Sequence, residues 1–167
     1  VQMLSWGKDL FPLNRSITGE GTRETLRYLS DLLPELQIKE IETDTQVFDW
    51  RVPQEWAVRE AYVEDPQGNR VIDFSVNNLH VVGYSIPINR TMPLEELQNH
   101  LHSIPDQPNA IPYVTSYYEK NWGFCLTDEL RSKFIPGEYK VYIDSDLFDG
   151  SMSYGELILP GEDKGEV

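Results

Sequence analysis

The feature that most constrains this chain is a change of hydrophobic period near Val47. Upstream, Leu26, Leu29 and Leu33 recur at i, i+3 and i+7, with Tyr28 and Leu32 widening the stripe. That spacing predicts an amphipathic helix, which Pro34 stops. Met3, Leu4, Trp6, Leu10 and Phe11 predict an earlier helix that ends at Pro12. Between the two lies a polar turn, Asn14 to Gly21, in which Thr18 or Thr22 is expected to cap the second helix. From Leu36 to Ile41 the pattern alternates and predicts a strand.

Downstream of Val47 the apolar segments are short, β-branched or aromatic, and punctuated by turn residues. Trp56 to Val63 and Arg70 to Phe74 read as paired strands. They are joined by Asp65-Pro66-Gln67-Gly68-Asn69, where Pro66 presets φ and Gly68 supplies a positive one. Leu79 to Tyr84 and Tyr113 to Tyr118 also read as strands. Pro93 opens a short helix with Leu94, Leu97 and Leu101 facing inward, and Thr127 caps another that carries Leu130 and Phe134. Glu138 to Asp144 alternates cleanly, with Tyr139, Val141 and Ile143 on one face. A final strand is expected from Ser153 to Leu159, followed by a charged turn at Gly161 to Val167. The expected organisation is a helical start over 1–46, a β-rich middle over 47–152 and a returning strand over 153–167, an α+β chain.

Composition narrows the partners. Against 14 Lys+Arg stand 28 Asp+Glu, a net charge of −14, so no excess of cations exists to displace counterions from nucleic acid or to hold an anionic membrane surface. No apolar run approaches the roughly 18 residues of a membrane span, and Val1 to Leu13 does not read as a signal peptide. The lone Cys125 cannot form an intrachain disulfide, and the cytoplasm is the expected compartment. Two glycosylation sequons, at Asn14 and Asn89, matter only on a secretory route. The chain begins with Val1, which is consistent with trimming or a fragment.

Candidate chemistry is sparse. If His100-Leu101-His102 is helical, its two rings diverge; if extended, they share a face, with His80 elsewhere in a strand. No metal site is expected within the chain. Cys125 has apolar flanks and reads as a buried structural thiol. Asp144, Asp146 and Asp149 read as a solvated acidic turn or a weak divalent-ion site. Arg15 and Arg23 flank the Ser/Thr/Gly turn before a helix N-terminus. Such a turn offers N–H groups to an anion while arginine can clamp a carboxylate in a two-pronged fork. A helix cap with surface ion pairs is the plainer alternative. Tyr113, Tyr117, Tyr118 and Trp122 either line a groove or form core and rim.

Several strings taken together resemble one family: Leu10 to Gly21, Val47 to Trp56, Asn78 to Ser85, Ile111 to Tyr118, Trp122 to Cys125 and Tyr154-Gly155-Glu156. Their order and spacing resemble the aminopeptidase-like proteins of the domain-of-unknown-function class, some attached to polysaccharide-biosynthesis loci and akin to zinc-dependent aminopeptidases. The resemblance implies the N-terminal helices of an α/β aminopeptidase-like domain, a small inserted β-rich domain over 47–152, and a strand that returns to the first domain. It implies zinc in the complete family member and none in this chain, because the family's metal-binding stretch would follow Val167, with Glu166-Val167 as the first residues of its strand. The polar, cap-like character of the turn, not the resemblance, makes Arg15, Ser16, Thr18 and Arg23 the residues expected to face a peptide or small-molecule substrate in the complete protein. A stand-alone β-rich module binding a peptide or saccharide is the alternative from another class.

Overall fold

The computed structural model describes residues 2–161, so the expected charged turn at Gly161 to Val167 and the strand start at Glu166-Val167 lie almost wholly outside the described residues. In chain order the elements are α1 Gln2–Leu10, α2 Glu20–Leu32, β1 Gln37–Glu42, β2 Gln46–Val47, β3 Trp50–Arg51, β4 Glu55–Glu64 and β5 Arg70–Asp73. There follow β6 Ile88–Pro93, α3 Leu94–Leu97, β7 Leu101–His102, β8 Phe124–Cys125, α4 Asp128–Arg131, β9 Glu138–Phe148 and β10 Ser151–Glu156. Short 3-10 turns sit at Asn78–His80 and Gln98–His100. Helices and strands mix along the chain, and the class is α+β.

The chain divides into two compact units. The first holds the described residues up to Asn14 together with Trp56–Phe148. Its centre is a four-stranded sheet in the order β5-β4-β9-β6. In β9, Tyr139, Val141, Ile143 and Ser145 are buried while Lys140 and Asp146 are exposed, the alternation of a strand with one covered face. Ala61, Val63, Ile72, Met92, Leu97, Leu101, Phe124 and Leu126 complete the core. The hairpin from β4 to β5 pairs Tyr62 with Asp73 and Val63 with Ile72, then shifts register at Glu64. The Asp65 side chain closes its turn by accepting from the Gln67 and Asn69 amides, and Gly68 sits at φ 82.

Two expected strands in this unit take other forms. Leu79 to Tyr84 begins as the 3-10 turn at Asn78–His80, where the Asn77 side chain accepts from the Leu79 amide. It continues only as single bridges at Val81 and Gly83. Tyr84 then adopts φ 67, which ends any ladder. Tyr113 to Tyr118 is a loop that touches Gly83 through one bridge at Thr115. In the reverse direction, β6 is a full strand paired with β9 from Ile88↔Ile143 to Pro93↔Glu138, though it carries no alternating apolar signal. His100 lies in a 3-10 turn and His102 in β7, so the extended arrangement of the pair is the nearer one.

The second unit comprises Arg15–Glu55 and the chain from Asp149 onward. Here β1 and β10 form a two-stranded antiparallel sheet, from Gln37↔Glu156 to Glu42↔Ser151. The β2–β3 pair is a small hairpin. The apolar stripe of α2 forms as expected, and Leu26 and Leu36 press on Gly155, where a Cβ would come within 3.1 Å of either side chain. No residue of α2 is fully buried, however, and Leu32 and Leu33 are 37% and 40% exposed. The expected threonine cap is not made. Gly19 is the N-cap, at φ 97 and ψ 172, a region that only glycine enters without strain. The final strand ends at Glu156, short of the expected Leu159. No described helix is long and apolar enough to cross a membrane.

Candidate functional site

The turn between Asn14 and Glu20 is built by its own hydroxyls. Ser16 Oγ accepts from the Thr18 amide at 3.3 Å and donates to the Thr18 carbonyl at 2.8 Å, a local side-chain turn that competes with helix. Thr22 Oγ1, one turn into α2, donates to the Ser16 carbonyl at 2.6 Å. Thr18 is buried at 2% exposure, whereas Arg15 is exposed beside it. The structure therefore gathers Ser16, Thr18 and Thr22 into one hydrogen-bonded knot with the Arg15 residue at its surface.

Arg23 lies on the first turn of α2 and is held by carboxylates. Its Nε donates to Glu20 Oε2 at 2.8 Å, and its two terminal nitrogens fork onto both oxygens of Glu55, Nη1 at 3.2 Å. Glu55 is 5% exposed. A carboxylate that deep is stable only when paired, and this one is charge-assisted on both oxygens. The Arg23 hydrogen bond holds its carboxyl below the usual range, against the upward push of burial, with help from the Ser151 amide. Gly150 makes room for it: a Cβ there would collide with Glu55 Oε2. Thr43 Oγ1 accepts from the Gly150 amide and so fixes that backbone. Arg23 and Glu55 are 32 residues apart, and no local pattern announces their pairing.

In the first unit the aromatic residues divide. Trp122 is buried and its indole stacks on the His100 ring at 3.7 Å between centroids. Tyr117 packs edge-on against buried Tyr84 at 5.0 Å, and Tyr84 stacks on Trp56. Tyr113 and Tyr118 are exposed, at 62% and 67%. Partial desolvation and the hydrogen bond with Tyr117 push the Tyr113 phenol up to about 12. The cluster is thus partly core and partly rim.

His80 Nδ1 and His100 Nδ1 face the carbonyls of Cys125 and Trp122 at 2.7 and 3.0 Å. Cys125 is fully buried and desolvation pushes its thiol up to about 11, so the thiolate is disfavoured. Burial lowers His102 first, and the charges of Arg131 and His100 lower it further. No group of three metal-binding side chains exists among the described residues, and these residues do not fit a zinc site. The three aspartates considered for a divalent ion are separated in role. Arg59 forks onto both Asp144 oxygens and reaches Asp146 Oδ2 at 2.6 Å, while Asp149 accepts from Gln54 at 3.0 Å.

The Arg59 fork belongs to a second charged arrangement that sequence reading missed. Arg70 donates to Glu60 at 2.8 Å and to Asp73 at 3.2 Å, with its guanidinium carbon 3.8 Å above the Tyr62 ring. Burial pushes the Asp73 carboxyl up, but hydrogen bonds from Ser75 and Arg70 outweigh it and leave the group below its ordinary value. The only trace in the sequence is the alternation of charge along β4, β5 and β9, which singles out an exposed sheet face without revealing the partners.

Comparison with known proteins adds a frame. The profile of a family described as "Domain of unknown function (DUF2172)" matches residues 55–146. A curated relative from Clostridium acetobutylicum, described as a "Putative polysaccharide biosynthesis protein with aminopeptidase-like domain", is 48% identical over 160 residues. The match takes in 96% of this chain and 37% of that relative, so the chain spans little more than a third of the relative's length. A crystal structure from the same organism, described as a "putative peptidase", superposes with a TM-score of 0.87 at 47% identity, covering 92% of this chain and 36% of the other.

Proposed function

The chain belongs to the family described as "Domain of unknown function (DUF2172)", and from that premise we propose that it is the N-terminal portion of a zinc-dependent aminopeptidase. The observation that carries this reading is the 48% identity across 96% of the chain to a relative with an aminopeptidase-like domain, of which the chain matches only 37%. In this reading metal-assisted peptide hydrolysis belongs to the complete protein, and no group of three metal-binding side chains lies among the described residues.

What these residues supply is shape and charge. Arg15, at the surface of the Ser16–Thr18 knot, meets a substrate carboxylate, for which a guanidinium fork is suited. Arg23 is a positioning residue in this reading: Glu55 and Glu20 hold it, and it anchors the first turn of α2, whose Thr22 closes the knot. The substrate is a peptide or small molecule, and nucleic acid and membrane are not partners, a reading supported by the charge of −14. The lone Cys125 supports a cytoplasmic setting.

Metal content and aminopeptidase activity of the complete protein test the reading. Stoichiometric zinc with hydrolysis of unblocked peptides is expected, and a metal-free, inactive complete protein refutes it. Within an active protein, Arg15→Ala is expected to raise KM about tenfold with kcat retained, the signature of lost uniform binding. Unchanged KM and kcat would remove Arg15 from the substrate site.

A further inference from the structure

On the first unit's sheet a cleft of about 430 Å³ opens between β4, β5 and β9, lined by Arg59, Glu60, Arg70, Asp73, Phe74 and Asp144. We propose that this cleft is a binding site for an uncharged saccharide. The proposal goes beyond the peptidase reading and concerns a different unit from the one that holds Arg15.

The chemistry of the lining selects the ligand. A guanidinium carries five N–H donors in a fixed plane. Arg59 commits three of them to Asp144 and Asp146, and Arg70 commits two to Glu60 and Asp73 and sets its Nε 4.0 Å from Glu64, so two remain on each beyond these pairings with described residues. Each carboxylate oxygen has two lone pairs, and Glu60 uses one oxygen on Arg70. The cleft thus presents fixed donors and fixed acceptors side by side. A hydroxyl both donates and accepts, so neighbouring hydroxyls can bridge such pairs without breaking them.

Preorganisation favours the same ligand. Both guanidiniums are pinned before anything binds, Arg70 by Tyr62 beneath it and carboxylates at its edge. Asp73 is fixed by the Ser75 amide and hydroxyl at 2.9 and 2.7 Å. Little side-chain entropy is then left to lose on binding. Phe74 extends the β5 pairing by donating its amide to the Ala61 carbonyl, and adds an apolar residue to the lining. Charge argues against anions: two arginines face three carboxylates among the lining residues. An anionic ligand would meet repulsion from Glu60, Asp73 and Asp144.

The test is a titration of the isotope-labelled chain, followed by NMR of the arginine Nε–H groups and backbone amides. Probes are maltose, N-acetylglucosamine and rhamnose up to about 50 mM, since a ligand of this size in an open cleft binds on the order of 1–10 mM. At least one of these sugars is expected to shift the Arg59 and Arg70 side-chain signals together with the Phe74 and Ser75 amides. Glucose-1-phosphate and trialanine, at equal concentration, are expected to leave them in place. Arg70→Met is expected to weaken sugar binding about tenfold through loss of charge-assisted donors. Arg70→Lys, which keeps the charge without the fork, is expected to weaken it similarly and covers the case in which the methionine variant fails to fold. The proposal is overturned if no sugar moves these signals, if trialanine or the phosphate ester moves them more than the sugars do, or if the lysine variant binds as tightly as the parent chain.

Discussion

The two compact units solve the problem of a stable interior in opposite ways. The first buries aromatic and aliphatic side chains in depth, among them Tyr84, Phe124, Leu126, Val141 and Ile143, none more than 2% exposed. In the second, the buried apolar residues among those described are Val52 and Pro53, and beside them lie Thr18, Glu55 and Ser153. The first unit is thus held mainly by the hydrophobic effect, which scales with the area removed from water. The second leans on one desolvated ion pair, Arg23–Glu55, set against Gly150. Breaking such a pair by removing one partner costs far more than the pair adds over an apolar substitute. A unit so arranged has little reserve, and α2 leaves Leu32 at its end 37% exposed.

Substitutions can break or sharpen this contrast. The largest effect is expected in the first unit: Phe124→Ala should cost about 3–5 kcal/mol by leaving a cavity, read as a lower denaturant midpoint for the β9 signals. Glu55→Gln should cost the second unit about 3 kcal/mol, because Arg23 loses its charged partner in a shielded position. Hydrogen exchange at the Ser151 and Thr43 amides should rise in that variant while β9 stays protected, and equal effects on both units would erase the distinction.

Acid should act on the same pair. The Glu55 pKa is depressed in the folded chain from an ordinary value of 4.5. Its stabilising contribution is therefore fully present above that ordinary value and is lost as pH falls through the depressed folded value. The second unit should accordingly lose protection at lower pH; the first, whose Asp73 and Asp144 carboxyls are also depressed, should lose some as well, but its apolar core should persist to lower pH. Smallest of all, Leu32→Ser on α2 should change stability by less than about 0.5 kcal/mol in a chemical denaturation curve, since that side chain is already 37% exposed. A cost like that of Phe124→Ala would mean that the stripe is packed far more tightly than its exposure implies.

How much of this was legible in the sequence depended on whether a residue's partner was near or far. The alternation in β9 was readable because one face meets water and the other does not. The β4–β5 hairpin was readable because Pro66 and Gly68 carry the turn themselves. By contrast β6, at a sheet edge with Asn89, Arg90 and Thr91 exposed and only Met92 buried, has no periodic signature. Leu79 to Tyr84 looked like a strand because Val81, Val82 and Tyr84 are buried, yet loop packing, not a ladder, buries them. The cap at Gly19 was obscured by two nearby threonines whose hydroxyl chemistry suits a cap equally well. In the candidate site, the turn carrying Arg15, Ser16 and Thr18 was visible. The Glu55 partner of Arg23 and the Asp144 partner of Arg59 were not, for they are joined only by the fold, at separations of 32 and 85 residues.

The contrast between the units is tested most directly by amide hydrogen exchange across the whole chain at neutral pH. Protection along β9 from Tyr139 to Ile143 is expected to exceed that of α2 from Leu26 to Leu32 by about a hundredfold, as separate opening reactions with different free energies require. Equal protection in the two segments, lost together on denaturation, would contradict the division into a unit held by its own core and a unit held by one ion pair.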